Sequence, residues 1–253
     1  MQEIWIADLT SVQEIRRGTD PLLRSTALVS TFMNPKVKYA IKSLAAPLMY
    51  RFPPTGIQPE RLMTYLQAVI DTASVPGPVV EVGSHLCGTS ILAYKMMQNL
   101  SIDKTYICVD TFSGFVPDQF ANDVSKGTPL KDRLMFADNS EDLVRKILKM
   151  HNCSGIQLLR RDCTMISPSD FPSGISLCLL DVDLSDAVHR GLQKIWPLVN
   201  PGGRILIDDC PEHTSWKALH GVKAFCAEID APVCNPYGMG IIKKTPITAA
   251  VEA

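Results

Sequence analysis

The chain has no excess of either charge: 25 Lys and Arg stand against 26 Asp and Glu, a formal −1 over 253 residues. That balance removes the electrostatic case for a nucleic-acid or anionic-membrane partner. No apolar run approaches the roughly 20 residues a membrane helix needs. The opening, Met1 to Asp8, lacks a basic segment leading into an apolar core, so no signal peptide is expected. Internal repeats and low-complexity blocks are missing too. None of the eight cysteines falls in a Cys-x-x-Cys pair, and none of the five histidines in a His-x-x-x-His pair. Neither a disulfide framework nor a zinc site is therefore expected; buried thiols in a reducing cytoplasm fit better.

What is present alternates between strand and helix. Residues 1–57 read as a helical extension, broken by Pro21, Pro35 and Pro47 and closed by Arg51-Phe52-Pro53-Pro54-Thr55-Gly56. A helix then runs from Pro59 to Ala73, with Leu62, Tyr65, Leu66, Val69 and Ile70 on one face. Strands are expected at Pro78–Val82, Tyr106–Asp110, Ile156–Leu159, Ile175–Asp181 and Arg204–Ile207, the last after an Asn200-Pro201-Gly202-Gly203 turn. Helices are expected at Thr89–Asn99, Ser140–His151, Ser185–Leu198 and Trp216–Ile229. Two short strands near Val233 and at Met239–Lys243 complete a seven-stranded, mostly parallel sheet with helices on both faces. This α/β domain spans 58–245, and residues 246–253 read as a tail.

Gly83-Ser84-His85-Leu86-Cys87-Gly88 joins the first strand to a helix beginning at Thr89. Glycines admit a ligand close to backbone amides, and a helix N-terminus favours an anion. The dinucleotide pattern Gly-x-Gly-x-x-Gly is incomplete, because His85 holds its middle position. A smaller anion at Ser90 and the helix start is the alternative to a plain structural turn. Asp110 ends the second strand, where an acid can accept hydrogen bonds from ribose hydroxyls.

Four acids close two neighbouring apolar runs: Asp181 and Asp183 after Leu179-Leu180, and Asp208 and Asp209 after Ile205-Leu206-Ile207. Ligands of open α/β sheets sit beyond the carboxyl ends of the strands. Asp181, Asp208 and Asp209 supply oxygens of the kind that hard divalent cations prefer. Asp183, further out along the same strand, is then placed as a general base for a hydroxyl acidified by the cation. The competing reading is helix capping, with Asp183 before the Ser185 helix and Asp209 before Trp216; capping explains one acid at each place, not two. His151 and His189 read as surface residues of helices, Arg160-Arg161 as a solvated strand end, and His213 or His220 as a wall of a substrate pocket beside Trp216.

Taken in order, these pieces resemble class I S-adenosylmethionine-dependent methyltransferases, a Rossmann-like fold, and within them the macrocin O-methyltransferase family of sugar-hydroxyl methylating enzymes. The resemblance runs from about Arg61 to Lys244 and is carried by Val80-Glu81-Val82-Gly83, Val109 to Phe115, Asn139 to Val144, Leu180 to Leu184, Ile207-Asp208-Asp209 and Gly221 to Phe225. It implies S-adenosylmethionine along Glu81, Gly83, Ser84, Gly88 and Ser90. Asp110 would hold the ribose beside Thr111 and Phe112, Asp162 and Cys163 would lie near adenine, and Asp181 would face the same cofactor. It also implies Mg2+ or another divalent cation on Asp181, Asp208 and Asp209, with Asp183 as catalytic base. Two departures bear on the acceptor: the family continues Asp-Leu-Tyr where this chain has Asp183-Leu184-Ser185, and Ser84-His85-Leu86 replaces a bulkier aromatic and basic stretch.

The resulting expectation is a cytoplasmic, metal-dependent O-methyltransferase acting on a hydroxylated small molecule, foremost a sugar hydroxyl of a glycosylated natural product. A homo-oligomer is expected, with residues 1–57 as lid or oligomer contact. A catechol-type phenol is the second acceptor class; a nicotinamide-dependent oxidoreductase and a non-catalytic binding protein are the rivals from other classes.

Overall fold

A computed structural model describes residues 34–245. The early part of the extension and the tail, 1–33 and 246–253, lie outside the described residues. Helices α1 (Pro35–Met49) and α2 (Pro59–Asp71) precede the first strand. Then follow β1 (Val79–Val82), α3 (Gly88–Asn99), β2 (Tyr106–Asp110), α4 (Pro117–Val124), α5 (Glu141–Met150) and β3 (Gln157–Arg160). The second half holds β4 (Ile175–Leu180), α6 (Ser185–Ile195), β5 (Val199–Ile207), α7 (Ala218–Glu228) and β6 (Gly240–Lys243).

The six strands pair in the order β3-β2-β1-β4-β5-β6, all parallel except the last. Strands β1 and β4 are buried at every position, as continuous Val and Leu runs require when helices cover both faces. One apolar core lies on the side of α6 and α7, the other on the side of α2, α3 and α5. Chain order reverses direction across the sheet between β1 and β4, and that crevice is where such folds bind ligands.

The seven-stranded expectation becomes six among the described residues. The segment at Val233 forms no strand: Pro232 and Pro236 lack the N–H a ladder needs, and one bond remains, from Ile241 N–H to the Cys234 carbonyl at 2.8 Å. The 200–203 turn is absorbed into β5, which starts at Val199 and takes a register shift there. Helix α4 was not expected at all. On α2 the buried face is Arg61, Tyr65, Ala68 and Val69, so Ile70 gives way to an arginine. His151 is buried rather than superficial, its Nε2 meeting the Tyr50 carbonyl at 3.0 Å. His189 is half-buried and pairs with Glu228 at 2.6 Å.

Candidate active site

Four strand tips stand in a row along one edge. Beyond the last paired residues, Gly83 N–H donates to the Val109 carbonyl, Asp181 N–H to that of Val82 and Asp208 N–H to that of Leu180, at 2.8 to 3.0 Å. The sheet itself thus carries Asp110, Gly83, Asp181 and Asp208 side by side. Gly83 is at φ +85, and a Cβ there would lie 1.8 Å from the Asp181 carbonyl oxygen. Only glycine lets the loop cross so close to the acid-bearing strand.

Oxygens of Asp181, Asp208 and Asp209 lie within 4.8 Å of one another. Asp183 and Asp208 are buried; Asp181 and Asp209 are partly exposed. Asp183 reaches the cluster by a route the sequence did not show. Strand β4 stops at Leu180, and a left-handed residue (φ +60) followed by a tight Leu184 N–H to Val182 carbonyl bond of 2.6 Å turns its carboxyl inward. Asp209 is also left-handed, at φ +53. Such conformations cost free energy in a non-glycine residue and collect at functional sites.

The capping alternative fails for both acids. Helix α6 is capped from afar by Asp123 of α4, whose carboxylate accepts from Ser185 N–H at 2.9 Å and Ser185 Oγ at 2.8 Å. Helix α7 has Lys217 at its N-cap without a side-chain bond.

The acids strain one another electrostatically. Burial, then the charges of Asp208, Asp183 and Asp209, hold the Asp181 carboxyl well above the usual range. Burial and the Asp209 and Asp208 carboxyls do the same to Asp183. Asp208 is pushed up to about 6 by burial and Asp209, against the pull of Arg61. Arg61 was not singled out from the sequence; its Nη1 sits 2.5 Å from Asp208 Oδ1 and 2.8 Å from Asp209 Oδ1. One guanidinium does not neutralise four carboxylates. A donor set of hard oxygens with surplus negative charge fits a divalent cation.

The cavity beside this cluster, of about 290 Å³, runs from the acids along the glycine loop to Asp162. Its walls include Glu81, Gly83, Ser84, Gly88, Asp110, Thr111, Asp162, Cys163, Asp181, Asp183, Asp208 and Asp209. Ser84 Oγ is buried there without a partner, as a donor awaiting a polar ligand is. Arg161 lines the cavity but also remains a partly solvated strand end: its side chain is 36% exposed and its Nη2 pairs with Asp170 Oδ1 at 3.1 Å. Two expected residues stand behind the wall. Ser90 is fully buried, its Oγ donating to Glu81 Oε2 at 2.7 Å, so it offers nothing to an anion. Phe112 is buried and contributes its N–H to Asp110 Oδ1 at 2.6 Å. Asp110 also accepts from His85 N–H at 2.8 Å, fixing the loop. Asp162 accepts from Thr164 N–H and Gln119 Nε2, both at 2.9 Å. His85, lowered to about 4 mainly by burial, is a neutral wall residue. His213 and His220 are exposed and away from the cavity, which Trp216 lines instead.

The profile of the Macrocin-O-methyltransferase (TylF) family matches residues 52–236. The chain belongs to that family. It is an S-adenosylmethionine-dependent O-methyltransferase. The fold recurs in the O-methyltransferase NovP at 23% identity, covering 76% of this chain and 82% of that one, with a TM-score of 0.64. It recurs in CalS11, a calicheamicin methyltransferase, at 17% identity over 96% and 99% of the two chains, with a TM-score of 0.62. The apo structure of CalS11, described as a TDP-rhamnose 3'-O-methyltransferase of calicheamicin biosynthesis, aligns at 14% identity over 83% and 92%, with a TM-score of 0.50. A search of the curated proteins finds no significant match.

Against the family pattern, the serine at 185 has a physical role here. A tyrosine could not place a short hydroxyl against buried Asp123, whereas Ser185 meets it with both its amide and its Oγ. Aromatic rings gather on the same side of the methyltransferase cavity: Phe115 packs on Phe136 at 5.4 Å and on Trp216 at 5.7 Å between centroids. Lys217 N–H donates to the Asp183 carbonyl at 3.2 Å, which keeps Trp216 beside the acids.

Proposed function

We propose that this methyltransferase is metal-dependent and transfers the sulfonium methyl of S-adenosylmethionine to a sugar hydroxyl of a glycosylated natural product. The observation carrying it is the meeting of three carboxylate oxygens within 4.8 Å with buried Asp183, one strand tip from the glycine loop. Asp181, Asp208 and Asp209 would hold the cation, which supplies charge stabilisation and acidifies a nearby hydroxyl. The acceptor oxygen attacks the methyl carbon in line, an O–C bond forms as the C–S bond breaks, and S-adenosylhomocysteine leaves. Asp183 takes the hydroxyl proton. Trp216 offers a flat apolar face to a sugar ring while the acids take its polar edge. Glu81, Ser84 and Asp110, with Asp162 and Cys163, all line the cavity, and in this reading the first three would hold the donor while the last two would lie near its adenine.

In the same reading the catalytic unit is 58–245, in a reducing compartment that suits eight free thiols, seven of them buried. Residues 1–57 serve oligomerisation. Helix α1 supports this, since Val37, Ile41, Leu44 and Leu48 repeat at spacings of four, three and four and are all exposed among the described residues.

The test uses an acceptor panel of natural-product glycosides, TDP-rhamnose and catechols, each followed by S-adenosylhomocysteine release. Chelation should abolish turnover and Mg2+ restore it, and Asp183→Asn should lower kcat by about 10²- to 10⁴-fold. Turnover that survives chelation removes the metal. Turnover indifferent to Asp183→Asn removes the base. An acceptor panel in which only catechols react removes the sugar.

A further inference from the structure

Arg61 is the third residue of α2 and 8% exposed, yet its partners are 147 and 148 residues away. A single nitrogen, Nη1, contacts one oxygen of Asp208 and one of Asp209 at once. That is the bridging place a cation takes between two carboxylates. The segment before it, Pro54 to Ile57, lines the cavity. Its other end is tied to the glycine loop: Thr55 Oγ1 and Thr89 Oγ1 are 2.9 Å apart, and a Cβ on Gly88 would lie 2.3 Å from the Pro54 carbonyl carbon. Residues 54–61 thus form a strap with one anchor on the donor loop and one on the acids.

From this arrangement we propose that Arg61 is the resident counter-cation of the acid cluster, a positioning residue that a divalent metal displaces, loosening the strap at its acid end. The proposal rests on the metal reading above. An octahedral magnesium shell holds its oxygens at about 2.1 Å from the ion, hence no more than about 4.2 Å from each other. One oxygen from each of the three acids already lies within 4.8 Å of the others, close to that spacing. An ion set between Asp208 and Asp209 competes for the place Nη1 holds between their Oδ1 atoms, and two positive groups do not share it. A dication also meets the surplus negative charge better than one guanidinium. Removing Arg61 should therefore favour metal, whereas a scaffold role for Arg61 would make its removal weaken metal binding.

Mn2+ is the probe, with binding read by calorimetry on the full chain. Arg61→Met should bind Mn2+ at least tenfold more tightly than wild type, Arg61→Lys should fall between, and Asp181→Asn should abolish binding by both backgrounds. Hydrogen exchange supplies the second reading. The Leu62 amide, bonded to the Gln58 carbonyl at 2.8 Å, reports on the first turn of α2. In wild type, Mn2+ should speed exchange of amides 62–64; in Arg61→Met they should be fast with or without it. Equal or weaker binding by Arg61→Met, or Mn2+-induced protection of 62–64 in wild type, overturns the proposal and leaves the metal reading standing. Absence of Mn2+ binding in wild type overturns both. If Arg61→Met does not fold, the wild-type exchange response decides.

Discussion

Glu81 shows how a single residue in this fold is set by what it is buried against. It lies inside β1, and its Oε2 accepts from Tyr106 OH at 2.6 Å and Ser90 Oγ at 2.7 Å, while Tyr65 OH meets Tyr106 OH at 2.7 Å. Burial pushes its carboxyl up to about 7, although both hydrogen bonds pull the other way. The folded value is therefore above the unfolded one, near 4.5. Protonation then stabilises the fold: the contribution is complete below about pH 4.5 and is lost as pH rises through 7, roughly 3 kcal/mol across that window. Urea denaturation of wild type and Glu81→Gln between pH 4.5 and 8 should show wild type losing stability relative to the variant as pH rises. Parallel curves would mean an ordinary carboxylate. At this scale the acids were legible because a carboxylate at the end of an apolar run has no folding role. Arg61 was not, because its partners Asp208 and Asp209 lie 147 and 148 residues away and a charged residue reads as solvated until its neighbours are known. Ser90 misled for the same reason: its position at a helix start is visible in the sequence, its bond to Glu81 is not.

Alternating strands and helices were legible because their apolar periods are long and their Gly and Pro boundaries clear. What failed was short or borrowed. Helix α4 has eight residues, too few for a period, and the Val233 segment has apolar content but flanking prolines. The inward turn at Asp183 depends on left-handed backbone that no pattern marks. Helix α6 is the clearest case of one element set by another, because its cap is Asp123, sixty-two residues upstream and fully buried. Asp123→Ala leaves the Ser185 amide and hydroxyl without their acceptor at the helix that follows Asp183. The loss should be about 1–3 kcal/mol, read as a lower urea midpoint with an unchanged slope. Asp123→Asn, which keeps one acceptor oxygen, should lose less. Equal stability of all three proteins would show that α6 starts without this cap.

At the scale of the whole molecule, the two cores account for most apolar residues but leave the outer face of α1 uncovered among the described residues. Leu44 is 86% and Leu48 85% exposed, with Val37 and Ile41 on the same stripe and Phe52 just beyond it. The four-three-four spacing is the seam of paired helices, in which each apolar side chain fits between those of a facing helix. A helix that exposes such a stripe gains by burying it, at about 25 cal/mol per Å² of apolar surface. A second copy presents the identical stripe and can satisfy it by two-fold symmetry, the commonest arrangement of like chains. Pro47 does not interrupt the helix, which runs on to Met49 and keeps Leu48 in line. Sedimentation of wild type should therefore give a dimer or larger species, and Leu44→Glu with Leu48→Glu should give a monomer that still binds S-adenosylhomocysteine, since neither leucine lines the cavity. A wild type that sediments as a monomer assigns the stripe to another part of the chain and removes oligomerisation from the role of residues 1–57.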